Sequence, residues 1–358
     1  MSKFHRLQVA SVARETRDAV TLTFDVPPEL GEAFRFIQGQ HLTLRADIAG
    51  EDLRRSYSIC SAVSDRVLRI AVKRAPGGVF SAWANEQLRP GHAIDVMPPM
   101  GHFNVALDPA EARHYVAFAA GSGITPILSI VKTTLETEPH SRFTLFYGNR
   151  SSSAVMFREE LADLKDRFMQ RLNLVHVMSR EAQDIEILNG RIDRAKADAL
   201  LDHWIDASDI DAAFVCGPDG MMQAVAQALE AHGVAKSRIK IELFAASIPK
   251  HEHKPAAMPA AGSSECEVTA IIDGATRVFA LDRTKENIID GALRQGIELP
   301  YSCKGGVCST CRAKLVEGEV DMDVNFALED YEIARGFVLC CQSYPVTDKV
   351  VVDFDQVA

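Results

Sequence analysis

The chain has 358 residues, which at roughly 150 residues per domain gives two or three compact domains and excludes a single small module. Apolar residues make up 47% and charged residues 25%, the composition of an ordinary globular protein and not of a disordered, collagenous or membrane-embedded one. Of the net charge of −10, residues 265–358 carry −8 (9 Lys and Arg against 17 Asp and Glu), a field that repels nucleic-acid phosphates and steers a partner bearing a basic patch.

The longest charge-free stretch, 115–131, contains Gly121, Ser122, Gly123, Thr125 and Pro126, which interrupt the apolar face of a spanning helix, so no membrane partner is expected. At the amino terminus, Lys3, His5 and Arg6 precede a segment too short and interrupted for a secretory h-region, and a cytoplasmic location is expected.

Residues 7–104 hold short alternating runs bounded by turn residues, such as 67–73, and predict an antiparallel β-barrel. From His114 onward, strands over 115–120, 143–147, 173–178 and 212–216 alternate with helical stretches, the signature of an α/β parallel sheet covered on both faces. Thirteen of the twenty residues 245–264 are Ala, Pro, Ser or Gly, which predicts a flexible linker spanning about 25 Å, with His251 and His253 solvated. Beyond it, β-rich runs over 266–272 and 275–281 flank Asp273-Gly274, a hairpin turn. A helix follows, with Ile288, Ile289, Ala292 and Leu293 on its apolar face, Thr284 as its cap and Gly296 as its end, giving a small α+β domain. The expected modules are therefore 1–107, 108–245 and 265–358, with a linker over 246–264.

Five of the eight cysteines lie between 303 and 341, a clustering that favours a metal or redox site over a disulfide framework. Cys303, Cys308 and Cys311 form a C-x4-C-x2-C run with a distant fourth cysteine at 340 or 341, the plant-type [2Fe–2S] spacing. Thiolates are the soft ligands iron requires, and Gly305 and Gly306 allow a tight loop that aims backbone N–H groups at sulfur. Zinc or free thiols are the alternative, although structural zinc sites favour close pairs separated by a longer gap.

Three further strings carry chemistry. Arg55-Ser56-Tyr57-Ser58 lies on a strand, whose period of two places Arg55 and Tyr57 on one face and Ser58 on the other. Gly77-Gly78-Val79-Phe80-Ser81 precedes a helical run, so that backbone N–H groups and the Ser81 hydroxyl can approach a phosphate. Gly121-Ser122-Gly123-Ile124-Thr125-Pro126 follows an apolar strand and suits a diphosphate at a helix start, although Pro126 stands where G-x-G-x-x-G has its third glycine. Plainer readings stand beside these: an ordinary strand with an exposed Arg for the Arg55 string, and, farther along, a buried strand-end thiol for Cys216 and a core position for Phe244.

Residues 265–358 resemble plant-type ferredoxins, whose last ligand is followed three residues later by Tyr-Pro. Cys341-Gln342-Ser343-Tyr344-Pro345 fits that frame, so the resemblance implies a β-grasp fold with Cys303, Cys308, Cys311 and Cys341 as ligands and Cys340 as a buried neighbour. The Arg55 and Gly77 strings resemble the flavin domain of ferredoxin reductases. That implies FAD, with the Tyr57 ring over the isoalloxazine, Ser58 near N5 and Arg55 on the diphosphate; Ser56, Val72, Lys73, Gly77, Gly78, Val79 and Ser81 complete the implied contacts. The Gly121 turn, Tyr147-Gly148-Asn149-Arg150 and Cys216-Gly217-Pro218 resemble the same family's nicotinamide domain. By that resemblance Thr125 and Cys216 flank the nicotinamide, Gly121, Gly123, Arg150, Gly217 and Pro218 bind the nucleotide, and Ser58 and Cys216 are the catalytic pair. Ser179-Arg180 is similar to the pair that holds the 2′-phosphate in NADPH-specific members, while Glu181 beside it keeps NADH open. Phe244 is implied to pack over the flavin opposite the tyrosine.

Flavin, nicotinamide and ferredoxin modules in this order are similar to the reductase components of bacterial multicomponent oxygenases. The resemblance implies an NAD(P)H-dependent oxidoreductase that passes electrons from NADPH through FAD and a [2Fe–2S] cluster to the oxygenase component of a di-iron monooxygenase. An NADH-dependent reductase of a Rieske or other aromatic oxygenase would share these motifs. A redox-sensing interaction protein would share the cluster and have no use for the flavin and nicotinamide strings.

Overall fold

The computed structural model describes residues 4–244 and 264–356, and the expected linker, with its two histidines, lies outside them apart from Ser264. The described residues form two compact units. One holds 5–53 with 57–243; the other holds 264–356, with which residues 4, 54–56 and 244 are grouped.

The first unit begins with β1 (His5–Thr16), β2 (Ala19–Asp25), β3 (His41–Ile48), β4 (Glu51–Ser58), β5 (Leu68–Lys73), the helix α1 (Val79–Glu86) and β6 (Ala93–Val96). The six strands lie in the order β4-β3-β6-β1-β2-β5. Ile59, directly after β4, pairs antiparallel with Ile70 of β5, so the two edges meet and the sheet closes into the expected barrel. Alternation puts Leu7 and Val9, Val20 and Leu22, Leu42 and Leu44, and Ile70 and Val72 into one core, against which α1 packs Phe80 and Ala84.

The same unit continues through β7 (His114–Ala120), α2 (Ile124–Thr137), β8 (Arg142–Asn149), α3 (Arg158–Arg167), β9 (Leu172–Met178), α4 (Arg194–Trp204), β10 (Ala212–Cys216), α5 (Asp219–Ala231) and β11 (Ile239–Glu242). All five strands are parallel, in the order β11-β10-β7-β8-β9. Residues 114–119 of β7 are fully buried, as a near-continuous apolar strand covered on both faces must be. After β7 the chain builds β8 and β9 on one side and then β10 and β11 on the other. The carboxyl ends of β7 and β10 thus form a topological switch point, where open α/β sheets bind ligands.

The second unit contains β12 (Glu265–Ile272), β13 (Ala275–Asp282), α6 (Ile288–Arg294), β14 (Arg312–Glu317), β15 (Val320–Met322), α7 (Asp330–Ala334), β16 (Phe337–Leu339), β17 (Ser343–Pro345) and β18 (Lys349–Asp353). Its sheet runs β13-β12-β18-β14-β16, with the first and last strands of the unit parallel at its centre and the other pairs antiparallel. With α6 packing Ile288, Ile289 and Ala292 onto Val268 and Val350, this is the expected β-grasp. Ile272 pairs with Ala275, and Asp273 and Gly274 both have positive φ (49° and 70°), the two-residue hairpin geometry that the sequence predicts.

The cap of α6 differs from expectation. Asn287, not Thr284, accepts the backbone N–H of Asp290. Thr284 sits earlier, in the turn, where its hydroxyl donates to the Asp282 carboxylate at 2.6 Å. Both are cap-forming residue types, and Asp282 engages the first of them before the helix begins. Among the described residues no helix is long and apolar enough to cross a membrane. Asn287→Ala is expected to destabilise the second unit by about 1 kcal/mol, to be read as a lower urea midpoint; an unchanged midpoint would show that the cap is dispensable.

Candidate functional site

At the switch point four chain segments converge. Ser58, the last residue of β4, is buried, and its hydroxyl donates to a carboxylate oxygen of Glu242 at 3.0 Å. Glu242 ends β11 in register with Cys216 at the end of β10. Gly123, in the turn after β7, lies so close to β10 that a Cβ there would stand 2.1 Å from the carbonyl oxygen of Cys216, which makes glycine obligatory. Enclosure pushes the Glu242 carboxyl up to about 8, against the opposing pull of the Ser58 hydroxyl. Burial first, and then the Glu242 charge, push the Cys216 thiol well above its ordinary value. Near neutral pH both groups hold their protons. The site therefore brings hydrogen-bonding groups together without an ionised nucleophile or base.

The two candidate phosphate turns are open on their outer sides. Gly121 and Gly77 have positive φ (54° and 70°), and no atom lies within 4 Å of where a Cβ would stand on either. Gly121 leads into the 14-residue α2, and Gly77 and Gly78 lead into α1, whose first residue, Val79, is exposed. Arg55 is exposed on β4, and Ser56 and Tyr57 are half-buried. The Tyr57 ring lies 5.8 Å from that of Phe80. An exposed guanidinium, an open glycine turn at a helix start and a half-buried tyrosine fit a flavin's diphosphate and ring.

Other expected contacts are committed elsewhere. Ser81 donates its hydroxyl to the Gly78 carbonyl and accepts from the Ala75 N–H, both at 3.1 Å, so it holds the turn together and offers no free O–H to a phosphate. Val72 is sealed in the barrel core and its carbonyl accepts from Asn85 at 3.0 Å, which removes its side chain from any cofactor surface. Lys73 is half-buried with its ammonium 3.8 Å from Asp18. Thr125 is buried and donates to the Ser122 carbonyl at 3.0 Å, bracing the Gly121 turn. Gly217 and Pro218 form the turn from β10 into α5, and Phe244 is half-buried after β11.

Beyond the switch point, the Ser179 and Arg180 N–H groups donate to the carbonyls of Asn149 and Arg150 at 2.9 and 2.8 Å. This pairing extends β8 and β9 and brings two exposed arginines, Arg150 and Arg180, to adjacent strand ends. The Glu181 carboxylate accepts from the N–H and hydroxyl of Ser152 at 2.8 and 3.0 Å.

In the second unit, the thiol of Cys303 contacts those of Cys308 and Cys341, and Cys341 contacts Cys311. Backbone N–H groups point at this sulfur set: Gly305 to Cys303 at 3.3 Å, Cys303 to Cys308 and Cys341 to Cys311, both at 3.5 Å. Lys304 and Ser309 are held at positive φ (51° and 49°), strain that lets the loop wrap the sulfurs. Cys340 is fully buried in the core and makes none of these sulfur contacts. Four thiols ringed by N–H donors fit a [2Fe–2S] cluster.

Comparison with known proteins agrees with this geometry. Residues 6–105 match the oxidoreductase FAD-binding domain family, 118–227 the oxidoreductase NAD-binding domain family and 270–346 the 2Fe-2S iron-sulfur cluster binding domain family. The chain is 48% identical to a component protein of the 1,2-phenylacetyl-CoA epoxidase of Escherichia coli strain K12, over 99% of each chain. It is 32% identical to the 3-ketosteroid-9-alpha-monooxygenase ferredoxin reductase component of Rhodococcus rhodochrous, over 97% of this chain and 96% of that one. The chain belongs to the FAD- and nicotinamide-dependent reductases with a carboxyl-terminal [2Fe–2S] ferredoxin domain. Phthalate dioxygenase reductase shares the fold, with a TM-score of 0.59 at 23% identity over 98% of both chains. This family member is an NAD(P)H-dependent oxidoreductase with FAD, nicotinamide and [2Fe–2S] domains.

Sequence reasoning gave Glu242 no role, although it directly precedes Leu243-Phe244; its pairing with Cys216 arises only when β11 adds beside β10. Its titration has a testable consequence. Glu242 keeps its proton up to about pH 8 when folded and loses it above about 4.5 when unfolded, so the folded state binds the extra proton across that window and stability falls as pH rises through it. Glu242→Gln should flatten the decline of the melting temperature between pH 5 and 8, followed by flavin fluorescence; a slope equal to wild type refutes the assignment.

Proposed function

We propose that this reductase draws its electrons from NADPH and delivers them to the oxygenase component of a di-iron monooxygenase, the phenylacetyl-CoA epoxidase. The observation that carries the reductive half is the meeting of Ser58, Glu242 and Cys216, where the flavin barrel joins the nucleotide sheet. The partner rests on the 48% identity, over 99% of both chains, to the protein of the Escherichia coli epoxidase.

When bound, the nicotinamide supplies a hydride carrying two electrons, the flavin accepts the pair and can release it singly, and the cluster takes one electron at a time. The chain's own residues position and shield. Arg55 and the Gly77 turn would hold the flavin diphosphate, and Tyr57 and Phe244 would cover its ring. The Gly121 turn, closed onto Cys216 through Gly123 and continued by Gly217 and Pro218, holds the nucleotide diphosphate at the start of α2. Ser58, its hydroxyl committed to Glu242, and the buried Cys216 would border the reacting centre. Cys303, Cys308, Cys311 and Cys341 are the cluster ligands.

NADPH is supported by the paired Arg150 and Arg180, two guanidinium groups suited to a phosphate dianion. Glu181, the acidic residue that an NADH enzyme could direct at the ribose, is held by Ser152. We place the module boundaries at 107/108, 245/246 and 264/265, outside the three matched family ranges. The cytoplasm, where thiols stay reduced, suits the eight free cysteines.

Anaerobic titration of the purified chain decides the reading. NADPH should bleach both flavin and iron–sulfur bands, and failure of both nucleotides to do so refutes it. Arg180→Ala should raise KM for NADPH roughly 10- to 100-fold, the loss of a charge-assisted phosphate contact, and leave that for NADH within about twofold. Cys341→Ser should abolish the iron–sulfur absorption while Cys340→Ser retains it; the reverse would reassign the fourth ligand.

A further inference from the structure

On the flank of the first unit, away from the glycine turns, four charged side chains form an alternating chain. Lys132 of α2 places its ammonium 2.7 Å from the Asp65 carboxylate and 2.8 Å from that of Glu160 on α3. Glu160 in turn accepts from Arg69 of β5 through both oxygens, at 2.9 and 2.8 Å. Lys132 is only 12% exposed. Burial opposes its charge, yet the two carboxylates outweigh burial and hold the ammonium above its ordinary value. The sequence is negative, positive, negative, positive, with no charge left over. Asp65 and Arg69 belong to the barrel; Lys132 and Glu160 belong to the nucleotide-binding sheet and helices. Beside the chain, the Val63 N–H donates to the Thr133 hydroxyl of α2 at 3.2 Å.

Two members of this chain, Arg69 and Lys132, lie on elements that run toward the reacting centre. On the barrel side, Arg69 pairs with Cys60: the Cys60 N–H donates to the Arg69 carbonyl at 2.9 Å, and the guanidinium reaches back to the Cys60 carbonyl at 3.4 Å. Cys60 is two residues from Ser58 on the same strand exit. On the nucleotide side, Lys132 lies nine residues beyond Gly123 on the continuous helix α2, a rigid arm of roughly 13 Å. The hydrogen bond between Ser58 and Glu242 joins the two folds at the centre itself, and the Glu15 carboxylate of β1 accepts from the Phe157 N–H before α3 at 2.6 Å; each is a single hydrogen bond. Apolar contacts such as Phe103 on Phe214, with ring centroids 5.5 Å apart, are non-directional and permit sliding. At the far end of α2 the charge chain adds several directional contacts to these single bonds, and so stiffens the junction against rotation.

We propose that Asp65, Lys132, Glu160 and Arg69 are positioning residues for hydride transfer, fixing the flavin-binding barrel against the nucleotide-binding fold so that the reacting atoms meet. The inference rests on the reductase reading above. Hydride transfer demands near-contact of donor and acceptor, and misplacement by about 1 Å is enough to cost up to a hundredfold in rate. Neither binding pocket includes any of the four side chains, so a positioning role predicts an effect on the rate constant with binding intact.

The test follows flavin bleaching in the full-length, FAD- and cluster-loaded protein by anaerobic stopped flow over a range of NADPH concentrations, which separates the limiting rate constant from the dissociation constant. Lys132→Met should lower the limiting rate constant roughly tenfold while FAD content and NADPH dissociation constant stay within about twofold of wild type. Lys132→Arg, which restores the charge, should recover to within about threefold. Asp65→Asn, at the exposed end of the chain, is the milder variant should Lys132→Met fold poorly, and should lower the same rate constant several-fold. The inference is overturned if Lys132→Met and Asp65→Asn both keep the wild-type limiting rate constant, or if their rates fall only in proportion to lost FAD or weakened NADPH binding. A wild-type flavin that neither nucleotide reduces overturns the reductase reading itself, an outcome visible before any variant is made.

Discussion

The hydrogen bond from Ser58 to Glu242 places the end of a barrel strand against the edge strand of a parallel sheet, and the organisation of the first unit follows from keeping that junction closed. The barrel seals its own edges through Ile59 and Ile70, so β4 has a fixed exit and Ser58 a fixed position. The parallel sheet reverses its strand order between β7 and β10, which opens a crevice at their carboxyl ends. Gly123 then narrows the crevice to backbone contact, since any larger residue would collide with the Cys216 carbonyl. Burial keeps Cys216 and Glu242 protonated near neutral pH. Uncharged groups at this junction suit the passage of a hydride, whose competitor is a proton.

The second unit answers a different constraint. Four thiolates must share one cluster, and their mutual repulsion has to be offset by donors. The backbone N–H groups of Gly305, Cys303 and Cys341 do this, and the loop reaches its shape through left-handed conformations at Lys304 and Ser309. Such strain persists only where the surroundings enforce it. Here the β-grasp core lies directly beneath, with Cys311, Cys340 and Cys341 themselves among its buried residues. The net −8 of residues 265–358 adds a field for steering without a bond to any one partner.

Local grammar was legible in the sequence where one short string decides the conformation. The Asp273-Gly274 hairpin, the strand over 212–216 and the glycine turn after β7 all stand where their residues place them. The cysteine spacing located the sulfur set for the same reason. What the sequence concealed depends on partners distant along the chain. Thr284 and Asn287 are both competent caps, and only the position of Asp282 decides between them. Val72 lies in a strand whose pattern does not say which face meets a cofactor, and barrel closure turned it inward. Ser81 has a hydroxyl suited to phosphate, but the Ala75 N–H and Gly78 carbonyl claim it first. Glu242 is ordinary in sequence and becomes chemically distinct only beside Cys216 and Ser58.

The two units thus divide according to what each transfer demands. Moving a hydride makes and breaks bonds to hydrogen, so donor and acceptor must be held in contact with defined orientation. The first unit accordingly invests in close backbone approach at Gly123, a hydrogen bond across the junction and directional charge pairs along its flank. Passing a single electron leaves every heavy atom bonded as before. The second unit can then be organised around holding its metal-binding sulfurs and presenting charge, and no side chain in it needs to act as acid, base or nucleophile. Such chemistry needs no paired carboxylates or nucleophile–base set: the residues of this chain act through distance, burial and orientation, and the bond-making capacity resides in the groups they hold.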